Sequence, residues 1–60
     1  MDRIEEGMRI QFPNSWDETP GPTLVIVRVE EEHVFTRSEV TGAIVVRPRG
    51  TVLLYGKEVR

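Results

Sequence analysis

The sequence predicts an all-β fold in which five short strands curl into a small barrel, with a long loop after the first strand. Three observations predict it. The chain has 60 residues, enough for one small domain spanning residues 1–60 and too few for the Rossmann, TIM-barrel or immunoglobulin architectures, whose smallest examples need about 100 residues or more. Its apolar runs are short and rich in Val and Ile, which favour the extended backbone. Its breakers, Gly7, Pro13, Pro20, Gly21, Pro22, Gly42, Pro48, Gly50 and Gly56, separate those runs at the spacing of a compact all-β fold.

Met8 to Phe12 alternates apolar and polar residues, so it reads as a half-buried strand with Met8, Ile10 and Phe12 inward. Pro13 stops it. Pro13 to Pro22 holds three prolines and the single tryptophan, Trp16, and reads as a long surface loop because proline neither donates to a ladder nor continues a helix. Thr23 to Val29 is the strongest strand signal. By simple alternation Val25, Val27 and Val29 share one face, while Leu24 and Ile26 lie on the other with Arg28. Glu30, Glu31 and Glu32 make a charged turn, and His33 to Ser38 follows as a strand. A helix over residues 30–40 competes, but Val34, Phe35 and Val40 lack helical period. Ala43–Val46 and Thr51–Tyr55 read as a hairpin closed by Arg47-Pro48-Arg49-Gly50, with proline and glycine at the positions a type I turn favours. Lys57 to Arg60 is a tail or a final half-strand.

A domain near 60 residues buries only about 60% of the surface its unfolded chain exposes, so it is marginal without reinforcement. The chain has no cysteine, so it forms no disulfide, and its single histidine, His33, cannot build a zinc site with side chains of its own kind. Self-association is the remaining route, and a homo-oligomer is expected. Both parities of strand 23–29 are apolar, which assigns Leu24 and Ile26 to a contact with another subunit. On the expected hairpin, Leu53 and Tyr55 join that contact. The absence of an apolar run of about 18 residues and of a signal-like leader leads to the expectation of a soluble, cytoplasmic protein with no membrane partner.

The net charge is −2, yet it is unevenly spread. Residues 1–32 carry three basic side chains against eight acidic ones, and residues 33–60 carry five against two. Arg37, Arg47, Arg49, Lys57 and Arg60 supply that basic half, and they define a second reading in which a basic hairpin tip clamps nucleic-acid phosphate. No aromatic residue besides Tyr55 interleaves with them, so base stacking has little support. Trp16, flanked by Asn14, Ser15, Asp17 and Glu18, is the leading candidate for a protein contact on a loop. His33 is the only histidine, the side-chain type suited to acid–base work near neutral pH, but no nucleophile motif accompanies it, and it reads as a solvated strand-end residue. The sequence therefore assigns no catalytic residue, no cofactor and no metal.

Gly7-Met8-Arg9-Ile10-Gln11-Phe12, followed by a long loop and further short strands, resembles the opening of KOW-type and Tudor-type members of the SH3-like barrels. That resemblance implies a scaffold and no particular activity. The order Gly7 to Ile10, Trp16, then Gly50-Thr51-Val52-Leu53-Leu54-Tyr55 is also similar to the plasmid-borne type II dihydrofolate reductases. Val52 and Tyr55 match the ends of that family's Val-Gln-Ile-Tyr pore motif. Leu53 replaces its glutamine, so the resemblance implies architecture and not reduction. The resulting first reading is a non-enzymatic, self-associating interaction module of a cytosolic assembly with an unidentified protein partner. A nucleic-acid-binding barrel is second, and an oligomeric enzyme with a site between subunits is third.

Overall fold

The computed structural model describes residues 3–13 and 21–59. Its elements run β1 (Arg9–Gln11), β2 (Leu24–Val29), β3 (His33–Ser38), β4 (Ile44–Pro48), α1 (Arg49–Tyr55) and β5 (Lys57–Glu58). The strands form one antiparallel sheet in the order β4-β3-β2-β1-β5. β4 and β5 are its two edges. The sheet is therefore open among the described residues and does not close into the expected barrel.

Local chemistry explains the turns. The Glu30 N–H donates to the His33 carbonyl at 2.8 Å, closing the β2–β3 turn with Glu31 and Glu32 in solvent. Between β3 and β4 the Ser38 hydroxyl accepts the N–H groups of Val40 and Thr41, and Gly42 closes the turn with φ of 76°, a left-handed conformation that side chains disfavour. Gly7 has φ of 89°, and its N–H reaches the Ile26 carbonyl at 2.7 Å. The Gly21 N–H donates to the Phe12 carbonyl at 2.8 Å, drawing together the two ends of the segment that contains residues 14–20. The expected loop and Trp16 lie outside the described residues.

One face of the sheet carries the core. Ile10, Leu24, Ile26 and Val34 are buried there, capped by Val52 from α1, with Ile4, Met8, Phe12, Val29 and Val45 packed around them. The expected inward set of the first strand is thus seen: Ile10 is fully buried, and Met8 and Phe12 are partly buried against the core cluster. Thr36 and Ser38 are the buried polar residues of this face; the Thr36 hydroxyl donates to the Val45 carbonyl at 2.6 Å, which offsets its desolvation.

Two expectations fail here. Leu24 and Ile26 are 4% and 1% exposed, so they are core residues of a single chain and not an outward contact. Simple alternation also breaks on β2, because the register passes from Ile26↔Thr36 directly to Arg28↔Phe35. Val27 is the extra residue of a β-bulge, which shifts the parity of everything after it. Val29 consequently pairs with Val34 and joins the core, away from Val25.

The second failure is the hairpin. β4 runs on through Pro48, the Arg49 N–H donates to the Glu32 carbonyl at 2.9 Å, and residues 49–55 form a helix where a strand was expected. A short apolar run does not by itself distinguish a strand from a buried helical turn. Pro48 has no N–H to offer a strand folding back on the free edge of β4. As a helix, the segment delivers Val52 to the open end of the core, and the Gly56 N–H closes the last turn on the Val52 carbonyl at 2.9 Å. The fifth strand is instead Lys57–Glu58, paired to β1.

Candidate interaction surfaces

The face opposite the core takes the side chains of Val25, Phe35, Ile44 and Val46, with Val27 beside them at the bulge. Register fixes this: Val25 pairs with Arg37, Phe35 with Val46, and Arg37 with Ile44, and paired residues share a face. Val27, Ile44 and Val46 are 40%, 52% and 43% exposed. Arg9 and Glu39 border this face. The Glu39 carboxylate accepts from Arg9 Nε at 2.7 Å and Nη2 at 3.0 Å, a forked geometry that favours charge on both partners. These hydrogen bonds hold the Glu39 carboxyl below its ordinary pKa and raise that of Arg9.

A second feature is a groove of about 410 Å³ lined by Phe12, Pro13, Arg47, Pro48, Thr51 and Tyr55. The Arg47 guanidinium carbon lies 5.9 Å from the centre of the Phe12 ring, within the range of a cation–π contact. Among the described residues the lining is mainly apolar, with one cation and no acid, so its chemistry suits an apolar group carrying a hydrogen-bond acceptor.

The expected site residues are only partly assembled by the fold. Tyr55 is exposed on α1 and lines the groove, whereas Leu53 is half-buried on the same helix. Arg47 and Arg49 follow one another at the end of β4 and the start of α1. Arg37 projects from β3 on the outer face, and Lys57 lies on β5 at the far edge of the sheet from β4. Sequence therefore overstated the basic cluster: these residues do not share one strand edge, and Arg60 lies outside the described residues. The outward trio Val27, Ile44 and Val46 is not among the expected contact residues, because alternation tells which residues share a face but not which face meets the core.

His33 is exposed at the start of β3. Among the described residues no group of three or more His, Cys, Asp or Glu side chains is placed to hold a metal ion. No described helix is long and apolar enough to cross a membrane. No protein-family model, curated protein or solved structure matches the chain.

Proposed function

We propose that this chain is a non-enzymatic interaction module that associates with copies of itself through the outer side of its sheet. The observation that carries the reading is the trio Val27, Ile44 and Val46, exposed on a sheet whose other face holds the core formed by the described residues. Removing apolar surface from water is worth about 25 cal/mol per Å², and a domain with so few buried residues gains from covering this face. The expected SH3-like architecture belongs to the same proposal, supported by the succession of five short strands after Gly7 and by antiparallel pairing throughout. It is now an open variant, with a helical turn before the last strand.

The test is sedimentation equilibrium across roughly 10 µM to 1 mM, a range suited to the modest contacts that small surfaces make. A mass that rises above the monomer supports the reading, and a monomer throughout defeats it. The nucleic-acid reading rests on Arg47 near the end of β4 and Arg49 at the start of α1. Neutralising several phosphates makes affinity fall steeply with salt, so salt-sensitive retention on DNA or RNA that is lost in Arg47→Glu with Arg49→Glu would put that reading first.

A further inference from the structure

Resting on self-association as the function, we infer that the partner is a second, antiparallel copy of β4, joined edge to edge about a twofold axis so that Ile44 of each copy faces Val46 of the other.

The backbone selects this edge and this register. In an antiparallel ladder, alternate residues bond to the neighbouring strand and those between them point away. The Ser38 N–H donates to the Ala43 carbonyl and the Arg49 N–H to the Glu32 carbonyl, so residues 43, 45, 47 and 49 are the ones that bond toward β3. Ile44 and Val46 therefore turn their N–H and carbonyl groups to the open side, where β4 has no strand neighbour among the described residues. Such an edge is a template for another strand. β5, the other edge, spans only Lys57–Glu58 and is too short to compete.

The ends of β4 exclude the other registers. Pro48 also points to the open side, but it has no N–H, so any register that sets it opposite a bonding residue loses a donor. Gly42 is spent as well, since its N–H already donates to the Ser38 carbonyl at 2.9 Å. Only the pairing centred on Val45 lets both outward residues meet partners that can donate and accept. It sets Ile44 against the partner's Val46, and the twofold repeats the exchange. It also places Arg47 opposite the partner's Ala43 and so avoids a like-charge contact.

The side chains agree with the backbone. Ile44 and Val46, at 52% and 43% exposed, lie on the outer face in both copies, because a twofold normal to the sheet preserves its faces. Each Ile44 then covers the partner's Val46, extending the apolar row that begins at Phe35. Val45 meets its own counterpart on the inner face.

The chain has no cysteine, so single cysteines report the register directly. Val45→Cys places two thiols across a non-hydrogen-bonded pair, where Cα atoms stand about 4.5 Å apart, within disulfide range. Ile44→Cys meets the partner's Val46 and not another thiol. Mild oxidation should convert Val45→Cys to a covalent dimer at least about tenfold faster than Ile44→Cys. Val46→Pro, which removes an outward N–H together with the Val46 side chain, should weaken association in sedimentation by at least about tenfold while the circular dichroism spectrum keeps its shape. Equal cross-linking of the two cysteine variants would overturn the register. An oligomer that survives a folded Val46→Pro would overturn the edge and leave self-association standing, whereas a wild type that stays monomeric would remove both.

Discussion

The bulge at Val27 makes three near neighbours on β2 respond differently to the same truncation. Ile26 is 1% exposed in the core, Val27 is 40% exposed on the outer face, and Val29 returns to the core through its pairing with Val34. Ile26→Ala removes a fully buried side chain and leaves a cavity, at a cost of about 2–5 kcal/mol. A chain of this size has only about 3–9 kcal/mol to lose, so that variant should melt at least about 10 °C below the wild type. Val29→Ala removes two partly buried methyl groups and should cost about 1 kcal/mol. Val27→Ala should stay within about 0.5 kcal/mol. Thermal melts followed by circular dichroism at low micromolar concentration measure all three while keeping association out of the comparison. A loss for Val27→Ala as large as that for Val29→Ala would refute the bulge, because strict alternation puts those two side chains on one face.

Three further outcomes follow from the same geometry. Val52→Asp should unfold the domain, while Leu54→Lys, at a position 77% exposed on the same helix, should leave the melting temperature nearly unchanged; similar losses for both would show that residues 49–55 are not helical. Arg47→Ala should cost less than about 1 kcal/mol, the worth of an exposed cation–π contact, and the chemical shifts of Phe12 should move; unmoved Phe12 resonances would disprove the stacking. Glu39 has a folded pKa below its unfolded one, so its contribution is present above the unfolded carboxyl value and disappears as pH falls through the folded one. Glu39→Gln should then remove a modest, salt-sensitive part of the stability near neutral pH and flatten its decline on acidification, and a pH profile unchanged from the wild type would refute the role of the Arg9–Glu39 pair.

Much of this fold is read from local pattern. Met8 to Phe12 alternates, so Ile10 had to be inward. His33 to Ser38 lacks helical period, and its strand has the expected bounds. Three glutamates in a row disfavour anything but a solvated turn between β2 and β3, and composition excluded a disulfide framework from the start. These conclusions need only neighbours along the chain, because side-chain direction on a regular strand follows from position alone.

The remaining features depend on residues distant in sequence. Whether Leu24 and Ile26 or Val25 and Val27 face the core depends on which side receives Ile10, Val34 and Val52, and the strand itself reads equally well either way. The bulge arises only when β2 meets β3 and the register skips at Val27. Residues 49–55 become a helix because β4 already carries its ladder to Arg49, Pro48 has no donor for a returning strand, and the core needs Val52 at its open end. Sequence set the apolar content of both faces of β2; packing against β3 and α1 decided which face stayed in water, since burial is a property of what lies across the sheet and not of the strand that carries the residue.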